Sequence, residues 1–231
     1  MRFRESKLAR RYCNGQGIEI GAAAHNPFGL NTINVDVNDG ITDSPYIQEQ
    51  MKMCGEVAKV DVVAPGDDLP FEDCSCDFVV SSHVLEHFAN PVGALLEWDR
   101  VIRPGGVIFA IVPHMERTGD SARERTTLQH LIDDYRNPPA YEEGYAYSHQ
   151  HVWVTEDFVE LVGWVQRECA VNWNLLAVQD VDDKVGNGFT VVIRKIDPDR
   201  PTHMFARMLG SLRAKRSASD AQGQTTAPES R

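Results

Sequence analysis

Five side chains able to move a proton or hold a cation fall in one stretch of this 231-residue chain: His114, His130, Asp134, His149 and His151. Imidazole takes up a proton near neutral pH without large perturbation, which suits a general base. Mixed imidazole and carboxylate donors also suit a divalent cation. Leu128, Leu131, Ile132 and Tyr135 mark one apolar helical face, so His130, Asp133 and Asp134 project together from the other. His149 and His151 point the same way if their short segment is extended. The spacing makes His149 the expected base, with His130, Asp134, His149 and His151 as the candidate metal set, magnesium or manganese favoured. Tyr141, Tyr145, Tyr147 and Trp153 interleave with these histidines and suit a sugar-like ligand or a pocket lid.

A second group, His83-Val-Leu-Glu86-His87, spells the inverted zinc-protease signature H-x-x-E-H. That chemistry needs both histidines on one helical face and a third ligand downstream. His83 instead stands at the mouth of a predicted buried strand. It is expected to line a site, with Glu86 and His87 either in that site or closing a helix start.

The elements that must position these groups read as alternating strands and helices. Leu69 to His114 contains a strand at Asp77 to Ser81, then a helix carrying Val92, Leu95, Leu96, Val101 and Ile102 at close to a 3.6 period. A Pro-Gly-Gly turn, Pro104 to Gly106, is expected to close the helix before a second strand, Val107 to Val112. Both strands are continuous apolar runs, as in a buried parallel sheet. Further strands are predicted at Gly17 to Ile20, Thr32 to Val35 and Val60 to Val63, and a helix from about Glu156 to Arg167, started by Thr155. Trp173 to Asp180 and Gly188 to Lys195 read as two late strands joined by a polar turn. The small-residue loop Gly21 to Ala24 leaves room for a ligand against the main chain, and Asp36 ends the second strand where Rossmann-like folds place a ribose carboxylate.

With 42% hydrophobic and 25% charged residues the chain suits one domain, expected over 1–199 with an insertion at about 114–154. Residues 200–216 read as a basic amphipathic segment, either a membrane-surface or partner-binding helix or, the favoured reading, a short helix docked on the domain or on a second subunit in a homodimer, and 217–231 as a disordered tail. A net charge of −11 argues against nucleic acid. No apolar run approaches a membrane span, and the first residues lack a signal-peptide core, so a cytoplasmic location is expected. Five cysteines without a C-x-x-C are expected as reduced thiols.

LPF at Leu69, the Phe78-centred strand, HVLEH at His83 and the Arg103-Pro-Gly-Gly turn together resemble class I S-adenosylmethionine (SAM) dependent methyltransferases of the type 11 group. The resemblance implies an α/β, Rossmann-like sheet, mostly parallel with an antiparallel C-terminal edge and helices on both faces. It also implies SAM as cofactor, held by Glu19, Gly21, Ala22, Asp36, Ser82 and His83, with Asp61, Asp67, Asp68 and the Leu69 backbone as adenine candidates. Ala64-Pro65-Gly66 departs from the family's usual wording before LPF. Pro113-His114 with Arg117-Thr118 and Asp120, then Thr126 to Leu131 with Asp134-Tyr135, then His149-Gln-His-Val-Trp153, resemble a bacterial subgroup of sugar and glycan O-methyltransferases. The implied acceptor is a sugar hydroxyl, with the 1-hydroxyl of a methylated mannoside in polysaccharide biosynthesis as one candidate. His149, His114 and His83 are then the catalytic candidates. A methyltransferase acting on a phenol, carboxylate or amine, and a SAM-binding protein without catalysis, remain the alternatives.

Overall fold

The computed structural model describes residues 1–141 and 145–197. The segments 200–216 and 217–231 lie outside the described residues. Seven strands form one sheet: β1 (Gly17–Ile20), β2 (Thr32–Asp36), β3 (Val62–Val63), β4 (Cys76–Ser82), β5 (Ile102–Pro113), β6 (Trp173–Gln179) and β7 (Gly188–Lys195). Their order is β3-β2-β1-β4-β5-β7-β6. The first five run parallel, and β7 pairs antiparallel with both β5 and β6. This is the expected Rossmann-like sheet. The order reverses between β1 and β4, and in open α/β sheets ligands bind in the crevice at such a point, beyond the carboxyl ends of the strands.

Strand alternation divides the core into two layers. Val79, Ile108, Ala110 and Val112 face α3 (Pro91–Val101), α4 (Leu128–Arg136) and α5 (Thr155–Glu168). Phe78, Val80, Phe109 and Ile111 face the other way, onto Ala9 and Cys13 around α1 (Lys7–Tyr12) and onto Phe28. Each central strand therefore buries both faces, which is why it reads as an unbroken apolar run.

The helices start where capping chemistry allows. Asn90 Oδ1 accepts from Gly93 N at 2.8 Å ahead of Pro91, and Thr127 Oγ1 accepts from His130 N at 3.2 Å. At α5 the cap is Val154, not Thr155: the Asp157 carboxylate accepts the Val154 N–H at 3.1 Å. α2 (Pro45–Cys54), opened by Ser44 and closed by Gly55 at φ 75°, was not expected from the sequence, nor was α1.

Two boundaries differ from expectation. Helix α3 ends at Val101, and Pro104 to Gly106 lie in the opening of β5 rather than in a turn before it, Pro104 and Gly105 exposed and Gly106 buried. A Cβ on Gly106 would come within 2.7 Å of the Asp77 carbonyl, so β4 passes against that turn of chain. Strand β3 shrinks to two residues, although Asp61 N and Ala64 N continue its bonding to β2 through Asn34 O and Asp36 O.

The insertion leaves and re-enters the domain at one place. His114 and Trp153 form a parallel bridge, and Met115 N donates to Trp153 O at 2.9 Å. The returning chain also donates from Gln150 N and His151 N to the Glu86 carbonyl. These contacts bring residues 145–151 over the carboxyl ends of β1 and β4. Among the described residues no helix is long and apolar enough to cross a membrane, and all five cysteines are free.

Candidate functional site

A cavity of about 550 Å³ opens at the switch point, within the range of small-molecule sites, about 300–1,000 Å³. Its floor comes from the strand ends: Glu19 to Ala23 after β1, Asp36 to Asn38 after β2, Ser82 to Val84 after β4. Tyr46 and Glu49 of α2 form one side, and Ala146, Tyr147 and His149 of the insertion form another.

Of the expected cofactor residues, Glu19, Gly21, Ala22, Asp36, Ser82 and His83 all line this cavity. Gly21 adopts φ 67°, and a Cβ there would meet Val84 at 2.8 Å, so glycine is required on both counts. The Gly21 and Ala22 amides are taken by Val35 O and Asn34 Oδ1, and the Gly21 carbonyl accepts from Tyr46 Oη at 2.9 Å. These two amides are therefore not free for a ligand. Buried Asp36 accepts from N and Nδ2 of Asn38 at 2.8 and 3.0 Å. Burial raises its pKa, partly offset by those bonds. Burial also raises Glu19, which accepts from Thr32 Oγ1 at 3.1 Å.

The expected adenine residues do not line the cavity. Asp61 is exposed, tied to Lys59 and accepting Asn34 N at 3.1 Å; Asp67 accepts from the Tyr141 hydroxyl; Asp68 is exposed. Leu69 has both backbone groups occupied, its N–H by Glu97 Oε1 at 2.8 Å and its carbonyl by Arg100 Nη2 at 3.0 Å. Gly66, earlier in the same loop, is the one that reaches the cavity wall.

The histidines separate into distinct groups. His149 lines the cavity, with Nδ1 2.6 Å from Asp120 Oδ2 and Nε2 3.7 Å from Glu86 Oε1. The Asp120 carboxylate accepts, so His149 Nδ1 is the donor, and in the neutral imidazole Nε2 then carries the lone pair. Burial works against the charge on Asp120, but His149 and Arg123, the latter at 3.0 Å, hold its pKa below the usual carboxylate range. His87, edge-on to His149 with ring centroids 4.9 Å apart, sits 3.6 Å from the same Glu86 oxygen. Glu86 is fully buried and neither carboxylate oxygen has a hydrogen-bond partner; burial pushes its pKa to about 8. His83 stands beside this group at φ 57°, a left-handed conformation that costs a residue with a Cβ about 1–2 kcal/mol. Burial lowers its pKa to about 4, so its imidazole is neutral.

His114 does not line the cavity, which corrects its expected catalytic place. Strand β5 carries it past the sheet edge into the bridge with Trp153, where it packs on Phe189 and lies 3.9 Å from Asp180. The expected four-residue metal set is likewise divided. His130, Asp134 and His151 converge with ligand atoms within 4.8 Å of one another, while His149 joins Glu86 and His87 in a second such triad on the cavity. Asp133, placed with them by helical spacing, is exposed and accepts from Gln129. Sequence reasoning missed Tyr46 and the pairing of Asp120 with His149. Asp120 stands inside one of the insertion motifs, but nothing in its spacing marks the partner.

Residues 13–110 match the methyltransferase domain family. The match falls on the stretch in which the sequence resembles the SAM-dependent methyltransferases. An uncharacterised methyltransferase of Mycolicibacterium gilvum is 37% identical over 127 residues, 55% of this chain and 47% of the relative. An uncharacterised protein of Methanocaldococcus jannaschii is 30% identical over 131 residues, covering 55% of this chain and 59% of that protein. The chain thus spans about half the length of these curated relatives. A SAM-dependent methyltransferase of Methanosarcina mazei aligns over 82% of this chain and 97% of its own, with a TM-score of 0.48 and 16% identity.

Proposed function

We propose that the chain is a SAM-dependent O-methyltransferase that acts on a sugar hydroxyl, with His149 as general base. The observation that carries this reading is the Asp120–His149 pair at 2.6 Å on the wall of the cavity. A sugar hydroxyl is a poor nucleophile until its proton is removed, and an imidazole whose far nitrogen is fixed by a carboxylate presents its lone pair in one direction. Nε2 takes the acceptor proton, and the imidazolium formed is stabilised by Asp120. SAM fits the cavity by its buried Asp36, by the open loop after Gly21 and by volume, and supplies an electrophilic methyl group when bound. Transfer is an in-line displacement, so the cavity contributes chiefly by fixing the acceptor opposite the leaving sulfur. Tyr147, whose hydroxyl donates to Asn38 Oδ1 at 2.9 Å, and His149 bring the polar, aromatic wall of the insertion to the acceptor side. That wall and the insertion motifs support a sugar over a flat apolar substrate.

A second reading replaces the base by a cation, since His149 Nε2 cannot both hold a metal and take a proton. Glu86, His87 and His149 have the donor set of a divalent site, and the unpaired Glu86 carboxylate favours it. Two imidazoles suit manganese or zinc better than magnesium. A bound cation would lower the acceptor hydroxyl's pKa.

The test is methyl transfer from isotope-labelled SAM, followed by mass spectrometry, across free and methylated mannosides and glucosides, with phenols, amines and fatty acids alongside. Methylation confined to sugars, with a 1-hydroxyl of a methylated mannoside as the specific candidate, is the expected result. Transfer to a phenol, amine or carboxylate instead would replace the sugar reading. Absence of transfer to any acceptor, with SAM still bound, would favour a non-catalytic SAM-binding protein. Full turnover in chelator by metal-free protein would remove the cation and leave base catalysis alone.

The cofactor half is checked separately. Asp36→Ala is expected to weaken S-adenosylhomocysteine binding by about tenfold or more, since a charged hydrogen bond is worth about 1.5–3 kcal/mol. Unchanged affinity by calorimetry would remove Asp36 from the ribose.

A further inference from the structure

We propose that His130, Asp134 and His151 bind a transition-metal cation outside the cofactor cavity, zinc by donor set, and that it ties α4 to the chain returning into α5. His130 and Asp134 lie one helical turn apart, with Nε2 and Oδ2 3.2 Å from each other, and His151 Nε2 reaches the same oxygen at 3.8 Å. Tetrahedral zinc with bonds of about 2.0–2.1 Å separates its ligand atoms by about 3.3 Å. The observed separations bracket that value. None of the three residues lines the cavity.

An ordinary ion pair on the helix accounts for His130 and Asp134 but not for His151. That residue is 2% exposed and stacks on Trp153 with centroids 5.5 Å apart; neither ring nitrogen has a hydrogen bond of ordinary geometry, although the Phe88 and Ala89 backbone lies near enough to act on the ring's charge. Buried polar groups find partners, and an imidazole left without one costs stability. A cation at the triad gives Nε2 its partner. His130 is exposed on the outer side, so water has access to a fourth coordination position. The site joins the middle of the insertion to its return, and thereby steadies the segment that carries His149. This inference does not depend on the methyl-transfer reading.

The experiment is a titration of chelator-treated full-length protein with zinc chloride, repeated with cobalt(II) as a spectroscopic probe. The Glu86→Gln variant is the background, which weakens the cavity triad. One equivalent is expected to bind, with the intense visible bands of four-coordinate cobalt, and with a rise in melting temperature. His130→Ala, at an exposed position that leaves the core intact, and the near-isosteric Asp134→Asn should each weaken binding at least tenfold and abolish the melting shift. Saturable binding that survives both variants, or no saturable binding in the Glu86→Gln background, would overturn the proposal.

Discussion

Replacing His149 by alanine is expected to lower kcat by roughly 10²- to 10⁴-fold, the usual contribution of a positioned base. S-adenosylhomocysteine affinity should change little, because the cofactor candidates at the ends of β1, β2 and β4 are untouched. Asp120→Asn tests the geometry rather than the base. An asparagine can turn its amide donor toward Nδ1, which moves the imidazole proton to Nε2 and removes the lone pair from the acceptor. A loss of about tenfold to a thousandfold in kcat is expected, with KM for SAM nearly constant. The alkaline limb of the rate profile should recover part of the loss, since a more basic acceptor needs less help. Near-normal turnover of His149→Ala would eliminate it as base. A loss at Asp120→Asn confined to melting temperature would reduce that aspartate to a structural role.

The pairing of Asp120 with His149 shows what a sequence can and cannot carry. Ile18, Ile20, Val79, Val80 and Ile108 are legible as strands because a parallel sheet with two covered faces demands apolar side chains in succession. The place of Asp36 and Gly21 on the cavity is legible for a related reason: strand ends at a switch point open onto the crevice whatever path the chain takes afterwards. α2 left cap signals at Ser44, Pro45 and Gly55, but its apolar pattern is weak, and burial is settled by neighbours that the period does not name. Asp120 and His149 meet only because the chain leaves at His114 and returns beside it at Trp153. Helical spacing placed His130 beside Asp134 correctly, since both lie on one helix. Nothing local fixed the path between Tyr135 and His149, so the metal set was merged from two places. His114 is misplaced by a similar step: it follows the end of β5, but the bridge with Trp153 directs it to Asp180 and Phe189 and away from the cavity.

Glu86 carries the largest expected effect on stability. Burial, with Asp120 nearby adding to it, raises its pKa from the ordinary 4.5 to about 8. Between those values the folded protein keeps a proton that the unfolded chain releases. Its contribution is therefore fully present below about pH 4.5 and is lost as pH rises through 8, a change on the order of 4 kcal/mol. His83 and His151 act in the opposite sense, since burial lowers each to about 4 and the unfolded chain binds their protons more tightly above that. Their terms rise with pH from about 4 to 6.5 and obscure the Glu86 slope in the wild type. The difference between wild type and Glu86→Gln isolates it, because the histidine terms are common to both. In chelator, denaturant unfolding should show the two proteins converging near pH 4.5 and the variant gaining a few kcal/mol over wild type by pH 8.5. Its glutamine keeps the shape and has no charge to bury. A difference that stays flat from pH 5 to 8.5 would mean that Glu86 is ionised in the folded protein, compensated by an imidazolium at His87 or His149. In that event the cavity holds a charged pair before any acceptor arrives, and His149 would have to lose its proton before it could take one.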